Sequence, residues 1–487
     1  MLLIGRVVTQ TERGEVEAVF VDGGQIGDVG SQTELSARYP RAQKLRIERI
    51  TPGLHDAHTH PQMWGEALGM VDLSGITDPR QAADRVARRA AETPAGQWIR
   101  GAGYLFADYP HKDLLDAATP DHPVFLQSRD FHSGWANSKA LELARIARDT
   151  PDPSDGSIVR DGAGEATGYL LERAQDYLHE ALPKSGIAEL ERGLKDLAQR
   201  GFTATHHMGW SPLSEAEELA KANRLPVRLW WAMDKHNWRG TTPGWRGDSL
   251  HVAAVKFFMD GALGSRTAWT LRPYPDGSLG MALDDLELIR AEGRAALEAG
   301  FTLVTHAIGS RAVHEWLNLV EWFEQNARHT RRPEPELKAL TYRMEHAQHI
   351  ADADLQRLRN LPVTLSMQPT HALEDAGLVR HHLPGQEHEA FRLRELWETG
   401  LPMAFGSDAP VAKPVWEDNL EASLRHPLNP AQSLTEAEVL WAHTRGAALA
   451  AGWLHHGLIR PETPADLTLW ENGKVIGRVF GGVLELK

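Results

Sequence analysis

The amino-acid sequence predicts an α/β protein built on a (β/α)8 barrel of the TIM type. Candidate strands alternate with amphipathic helices from about residue 201 onward, a pattern typical of a parallel sheet. With one strand that leads into the histidine-rich stretch HDAHTH, the candidate strands number eight, as this barrel requires. Both ends of the chain contain short extended segments between Gly and Asp turns, which predicts a small β-sandwich formed from the two termini.

The barrel strands are expected in segments that are largely apolar and are separated by helices such as SEAEELAKANR and DDLELIRAEGRAALEAG. In chain order these segments are RIERITPGLH (46–55), FTATHHM (202–208), PVRLWWAM (226–233), HVAAVKFFMDG (251–261), FTLVTHAIG (301–309), ALTYRMEHAQ (339–348), LPVTLSMQP (361–369) and LPMAFGSDAP (401–410).

The first two barrel strands are separated by about 140 residues, far more than an ordinary βα connection contains. An inserted subdomain with helices of its own is therefore expected. The predicted domains are a β-sandwich of residues 1–53 and 454–487, a barrel of residues 54–62 and 181–453, and an insert of residues 63–180 that covers the active site.

The composition restricts the function. The formal net charge of −14 argues against a nucleic-acid or anionic membrane partner, because both require a basic surface. The absence of Cys excludes a thiolate nucleophile and Cys-bound metals, so any metal ion must rely on His and carboxylate ligands. No signal peptide or membrane-spanning apolar run is visible. We therefore expect a cytoplasmic protein that acts on a small molecule and could form a homo-oligomer.

The stretch GLHDAHTHPQ, residues 53–62, is the first candidate metal site. His58 and His60 follow a predicted strand and point in the same direction, about 7 Å apart along the chain. Two neutral imidazoles at this spacing can bind one metal ion, although a solvated polar turn could have the same composition.

Further polar residues stand where other barrel strands end, which is where barrels of this kind carry their chemistry. They are Lys256 on the fourth strand, His306 on the fifth, His346 on the sixth and Asp408 on the eighth. Taken singly, each histidine could be structural and Asp408 could cap a turn or helix. Together, at the ends of strands of one sheet, they indicate a shared site.

Lys256 lies inside the apolar segment VAAVKFFMDG, where a buried ammonium group is costly unless it is paired. It could reach solvent or pair with Asp260. Alternatively, burial could lower its pKa, and the neutral amine could then take up CO2 and become a carbamate. A carbamate is a carboxylate that could bridge two metal ions.

The segments TPGLHDAHTH, VKFFMDG, THAIG, RMEHAQ and GSDAP, in this order, resemble the amidohydrolase superfamily. In particular they resemble its YtcJ-like branch, which includes N-substituted formamide deformylase. GAGYLFADYP, DGALGSRTAW, SMQPTH and PADLTLW also resemble segments of that branch, so the resemblance covers almost the whole chain.

The resemblance implies a site for two divalent metal ions, usually Zn2+, although manganese, iron or nickel would also suit the ligands. His58 and His60 would bind the more buried ion, and His306 and His346 the more exposed one. N6-carboxylated Lys256 and a hydroxide would bridge the two ions, and Asp408 would contact the first. The implied reaction is hydrolysis of a non-peptide C–N bond by a metal-bound hydroxide, with Asp408 as general base and then general acid.

Candidate substrate-binding residues are His132 and Trp135 in the insert and Arg266 after the fourth strand. A structural role for the first two and a surface ion pair for Arg266 are the alternatives. The sequence departs from the branch at Ser310, where an Asp is common, and at His206-His207, where the branch commonly ends the strand in His-Asp. These departures concern the substrate and none of the proposed ligands.

The alternatives to an amidohydrolase are a mononuclear deaminase and a non-catalytic relative. A mononuclear deaminase of a heterocyclic amine would use a Glu after the fifth strand as its proton shuttle, and THAIGSRA contains no acid there. A non-catalytic relative would be expected to lack ligands, whereas this sequence contains all six. Asp56 and Arg343 are expected to support the site and to bind neither metal nor substrate.

Overall fold

The computed structural model describes residues 1–128, 133–153, 156–326 and 341–487. These residues form two compact units, one of residues 1–65 and 190–487 and the other of residues 66–189. The strands of the described chain are β1 (Leu2–Val8), β2 (Glu15–Asp22), β3 (Gln25–Gly30), β4 (Lys44–Pro52), β5 (Leu54–Thr59), β6 (Val71–Asp72), β7 (Ile99–Tyr104), β8 (Val124–Ser128), β9 (Ser133–Ala136), β10 (Gly156–Arg160), β11 (Ala166–Glu172), β12 (Phe202–Met208), β13 (Arg228–Asp234), β14 (Gly244–Arg246), β15 (Leu250–Phe258), β16 (Thr302–Ala307), β17 (Tyr342–His346), β18 (Val363–Met367), β19 (Met403–Phe405), β20 (Leu467–Glu471), β21 (Lys474–Phe480) and β22 (Val483–Leu486).

The α-helices of the described chain are α1 (Gln32–Arg38), α2 (Pro61–Gly69), α3 (Pro79–Glu92), α4 (Asp113–Ala118), α5 (Ser138–Leu143), α6 (Asp176–Ala181), α7 (Ile187–Gln199), α8 (Leu213–Lys221), α9 (Leu286–Glu298), α10 (Ser310–Asn326), α11 (Asp352–Leu358), α12 (His371–His382), α13 (Leu393–Trp397), α14 (Trp416–Leu424), α15 (Glu436–Trp441) and α16 (Ala447–Ala450). None of these helices is long and apolar enough to cross a membrane.

Eight strands form the barrel, in the order β5, β12, β13, β15, β16, β17, β18 and β19, and neighbours along this order are parallel. The first and last strands meet where the backbone N–H of Asp408 donates to the carbonyl of His58 (2.7 Å) and that of His60 donates to the carbonyl of Ala409 (2.8 Å). The predicted (β/α)8 barrel is confirmed. Strand β14 also pairs with β15, in antiparallel orientation, but is not one of the eight barrel strands.

Helix α9 illustrates why the sequence between the strands is helical and packs as it does. The side chain of Asp285 caps its first turn by accepting from the backbone N–H groups of Glu287 (2.8 Å) and Leu288 (3.1 Å). The helix ends before Gly300, whose φ of 92° suits a residue without Cβ. Gly293 lets α10 approach closely, because a Cβ there would lie 2.7 Å from the ring of Phe323.

The two ends of the chain pair in one seven-stranded sheet, in the order β22, β21, β20, β4, β1, β2 and β3. The β4–β20 pairing joins the N-terminal and C-terminal parts in antiparallel register, with Ile50 opposite Leu469. Both residues are fully buried in the core of this sheet, together with Leu3 and Val479. The predicted additional β-structure from both termini is thereby confirmed.

The second unit, residues 66–189, contains a six-stranded sheet in the order β10, β11, β9, β8, β7 and β6, and includes helices α3 to α6. Its core contains Val86, Leu126 and Tyr169. That this insert covers the active site stays a prediction, as do the domain boundaries drawn from the sequence.

Candidate metal centre

The polar residues predicted at the strand ends line a single cavity of about 300 Å3. The parallel register makes this possible, because all strands of the barrel direct their carboxyl ends to the same side. The six residues are His58 of β5 and His60 directly after it, Lys256 of β15, His306 of β16, His346 of β17, and Asp408 after β19.

His58, His60 and Asp408 form one group of potential ligands. The Oδ1 atom of Asp408 lies 3.4 Å from Nε2 of His58 and 3.3 Å from Nε2 of His60. One ligand atom from each of the three residues lies within 4.8 Å of the others, and all three residues are buried. Asp408 adopts a left-handed backbone with φ of 60°, as strained residues at functional sites do.

A second group surrounds His346. The ligand atoms of His346, His371 and Asp408 also lie within 4.8 Å of one another. The His346 ring centroid lies 4.3 Å from that of His306 and 4.8 Å from that of His58. The Nε2 atom of His306 is 3.1 Å from the carbonyl oxygen of Gly261, to which it donates, and this contact leaves Nδ1 of His306 as its available ligand atom.

The protonation states of these residues suit metal binding. Burial lowers the pKa of His58 to about 4 and that of His306 to about 3, and it also lowers the pKa of His346 well below its ordinary value. For Asp408, burial alone would raise the pKa, but the nearby His58 and His60 hold it well below its ordinary value. At neutral pH His58, His306 and His346 are thus neutral and Asp408 is a carboxylate, which are the forms that bind metal ions.

Lys256 is the unusual member of the group. Its side chain is 1% exposed, and its Nζ atom has no hydrogen-bond partner in the part of the chain that the structure describes. Burial lowers its pKa to about 8. Asp260, a conceivable partner, instead accepts hydrogen bonds from the backbone N–H groups of Gly309 (2.7 Å) and Trp269 (2.8 Å). The Nζ atom does lie 5.1 Å from the centroid of the Phe258 ring. A buried amine without a hydrogen-bond partner fits a lysine that becomes carboxylated.

A layer of buried charge behind the site holds His58 in place. The Nδ1 atom of His58 lies 2.5 Å from Oε2 of Glu345, and Oε1 of Glu345 lies 2.6 Å from Nε of Arg343. Burial favours the protonated carboxyl, but the charge of Arg343 and the contact with His58 keep the pKa of Glu345 at about 2. The ionised Glu345 therefore fixes the His58 ring with Nε2 toward Asp408. Asp56 joins the first and last strands by accepting from the N–H groups of His58 (3.2 Å) and Ser407 (2.9 Å).

Of the three candidate substrate residues, the two that the structure describes do not line the cavity of the candidate ligands. Arg266 is exposed and forms an ion pair with Asp276 (2.6 Å). Trp135 is fully buried in the core of the second unit and contacts Phe106 edge-on, with ring centroids 5.6 Å apart. His132 lies outside the described residues. A role of these residues in substrate binding stays a prediction.

Two residues of the candidate site, His371 and Glu345, are not among those predicted from the sequence. His371 follows β18, the seventh barrel strand, so that the strand-end rule could have identified it within SMQPTH. Its Nε2 atom lies 3.9 Å from Oδ2 of Asp408, and its Nδ1 atom lies 3.3 Å from Nε2 of Gln348. Glu345 directly precedes the candidate ligand His346 and reaches His58 across the barrel, a contact that no local pattern reveals.

The fold and the site define a barrel with a histidine- and carboxylate-rich centre of the kind found in metal-dependent hydrolases. The sequence profile of the Amidohydrolase family matches residues 48–477, and the chain belongs to that family. The predicted resemblance to the YtcJ-like branch is confirmed by two relatives. The chain is 31% identical over 443 residues to the putative amidohydrolase YtcJ of Bacillus subtilis, covering 84% of this chain and 80% of that protein.

The second relative is the N-substituted formamide deformylase of Arthrobacter pascens, which is 27% identical over 495 residues, covering 93% of this chain and 89% of that protein. Among solved structures, an uncharacterized metal-dependent hydrolase from Pyrococcus horikoshii superposes with a TM-score of 0.80 and 22% identity, covering 96% of this chain and 97% of the other. The family and its relatives indicate a hydrolase, and the solved structure supports the fold.

Proposed function

We propose that the protein hydrolyses a non-peptide amide C–N bond of a small molecule with two divalent metal ions, most simply Zn2+. The observation that carries this proposal is Lys256, a buried amine without a hydrogen-bond partner in the described chain, in a cavity lined by five histidines and three carboxylates. A carbamate on Lys256 would replace the buried ammonium group, which destabilises the folded protein, by a carboxylate that can bridge two metal ions.

The donor set fits two ions. His58 and His60 with Asp408 would hold one, His306 and His346 would hold the other, and N6-carboxylated Lys256 would bridge them. When bound, the ions would activate a water molecule and polarise the carbonyl group of the substrate. His371 supports the second position, because its ligand atom stands within reach of His346 and Asp408.

Asp408 is the residue to which we assign proton transfer. Its carboxylate lies at the meeting point of both ligand groups and is ionised at neutral pH, so it can accept the proton of the attacking water. The new C–O bond forms first. The C–N bond then breaks as Asp408 returns the proton to the departing nitrogen. The products are a carboxylic acid and an amine.

The competing deaminase reaction would require an acid after the fifth strand. Ser310 stands there, and its hydroxyl oxygen accepts the backbone N–H of Leu271 (3.0 Å), which suits a structural residue. Amide hydrolysis is therefore favoured over deamination of a heterocyclic amine.

A panel of N-formyl and N-acetyl amines tests the proposal, because one relative is named for the removal of formyl groups from N-substituted formamides. Amine release would be measured for the wild type, for Asp408→Asn and for the control Asp22→Asn, which removes an exposed carboxylate of β2. We expect Asp408→Asn to retain its metal and to lose about 100- to 10,000-fold in kcat. Near-full activity of Asp408→Asn, or release of ammonia from heterocyclic amines alone, would overturn the proposal.

A further inference from the structure

One part of the cavity wall belongs to helix α12 and carries two acidic side chains. His371, Glu374 and Asp375 all line the cavity. Their spacing of three and four residues places them on one face of the helix, with the two carboxylates next to His371. We refer to Glu374 and Asp375 as the acidic pair.

The acidic pair is not neutralised by the protein. Neither carboxylate forms an ion pair or hydrogen bond within the described ranges of the chain. Burial raises the pKa of Asp375, His371 lowers it, and Glu374 raises it further. Among the described lining residues the one Lys or Arg is Lys256, which turns into an anion when it is carboxylated. Asp375 is partly buried and Glu374 is exposed. Apart from the metal ions of the proposed function, their negative charge therefore lacks a counter-charge in the described lining.

Another part of the lining is aromatic and apolar. The Trp210 ring stacks on Phe258, with centroids 5.3 Å apart, and on His60, with centroids 4.9 Å apart. Although it is packed on both rings, Trp210 remains 59% exposed, which leaves indole surface free for a ligand. Leu263 and Ile308 add aliphatic surface. Such a wall suits a flat apolar group and tolerates a nearby cation.

Two buried polar atoms in the same lining lack a hydrogen bond in the described chain. The His371 nitrogen is available to the second metal position, so the Gln348 oxygen is the atom left for a substrate. Gln348 is 2% exposed and His371 is 7% exposed. The Oε1 atom of Gln348 and the Nε2 atom of His371 have no hydrogen-bond partner among the residues described. The Gln348 oxygen is an acceptor, and a buried acceptor is costly until a donor reaches it. It would therefore favour a ligand that carries N–H groups.

We propose that this cavity selects amides whose amine portion combines a flat apolar group with a positive charge, such as an ammonium or amidinium group. The acidic pair would bind the charge, and the Trp210 wall would bind the flat group. Amides with a carboxylate on the amine portion, such as N-acyl amino acids, would be rejected, because the acidic pair repels them and no arginine of the described lining would bind them. The inference rests on the proposed function of the same cavity.

A binding experiment tests the charge preference without any reaction. Benzamidine, which is a cation, and acetophenone, its neutral counterpart of similar shape, would be titrated calorimetrically into the metal-loaded protein. We expect benzamidine to bind at least about tenfold more tightly, a difference of about 1.4 kcal/mol. The double variant Glu374→Gln/Asp375→Asn should reduce this preference to less than about threefold.

The chain offers a matched control for that variant. Glu417 and Asp418 form the same Glu-Asp dipeptide in helix α14, are exposed and do not line the cavity. Glu417→Gln/Asp418→Asn removes the same two charges and should leave the benzamidine preference unchanged. Equal binding of both probes to the wild type, or loss of the preference in the control variant, would overturn the inference.

A kinetic series separates this inference from the proposed function. The N-formyl derivatives of 4-(aminomethyl)benzylamine, 4-methylbenzylamine and 4-(aminomethyl)benzoate differ mainly in charge at one position. We expect kcat/KM to fall from cation to neutral to anion. Hydrolysis without this ranking would refute the charge preference and leave the proposed function standing. A benzamidine preference that depends on the acidic pair, without hydrolysis of any amide, would refute the proposed function and support the binding site.

Discussion

Replacing Lys256 by methionine is expected to stabilise the metal-free protein. Methionine has a similar length and fills the same buried space without an ammonium group. The Lys256 side chain is 1% exposed and its Nζ atom has no hydrogen-bond partner in the described chain, so its charge is costly in the folded state. The residue that we assign to metal bridging is thus a source of instability when no metal is present.

The size of the effect follows from the pKa of Lys256, which burial lowers from 10.5 to about 8. Each pKa unit corresponds to about 1.4 kcal/mol, so the cost of keeping the folded lysine charged is about 3 kcal/mol at pH 7. Because the unfolded lysine binds its proton up to pH 10.5 and the folded one only up to about 8, the free energy of unfolding rises with pH between these values. At pH 10 about 1 kcal/mol of the cost should remain.

Urea unfolding of chelator-treated protein in CO2-free buffer measures this cost. The free energy of unfolding of Lys256→Met should exceed that of the wild type by about 3 kcal/mol at pH 7 and by about 1 kcal/mol at pH 10. Lys474→Met, at an exposed position of β21, is the control and should change the free energy of unfolding by less than about 0.5 kcal/mol. The reasoning is refuted if Lys256→Met is no more stable than the wild type at pH 7, or if its advantage does not shrink as the pH rises.

Three further predictions concern the same site. Metal loading of the metal-free protein in bicarbonate should be faster at pH 8.5 than at pH 6.5. The reason is that the neutral fraction of Lys256 is about 3% at pH 6.5 and about three quarters at pH 8.5. Equal loading rates would contradict this prediction. Glu345→Gln should lower metal affinity by about 10- to 100-fold in a chelator competition, since His58 loses its charged partner, and unchanged affinity would argue against that role. Arg266→Met should alter kcat/KM by less than about twofold, because Arg266 forms an exposed pair with Asp276; a tenfold loss would support the substrate role suggested by the sequence.

Much of the fold, and the grouping of the candidate ligands around one cavity, could be predicted because each barrel strand carries its information locally. The segment TLVTHA is buried along almost its entire length, as strands of a parallel sheet covered by helices are, and its histidine comes at its end. The same holds for YRMEH. Once parallel strands are identified, their carboxyl ends must converge, so that His58, Lys256, His306 and His346 could be placed together without knowledge of their distances.

What the sequence could not supply are the contacts between segments far apart in the chain. Glu345 and His58 are separated by 287 positions, and only the closed barrel brings them within 2.5 Å. The acidic pair resembles any exposed helical Glu-Asp sequence until α12 is placed against the cavity. In the same way, no local pattern tells whether Arg266 faces a substrate or Asp276, because a ten-residue loop determines its partner.

The metal content per chain tests the central claim most directly. Elemental mass spectrometry would be applied to untagged protein produced with ordinary trace metals and bicarbonate. We predict about two equivalents of a divalent ion per wild-type chain, and fewer in Lys256→Met. One equivalent would indicate an unmodified Lys256 and favour a mononuclear reaction. No bound metal, even after reconstitution, would contradict the assignment of the histidines in HDAHTH as ligands.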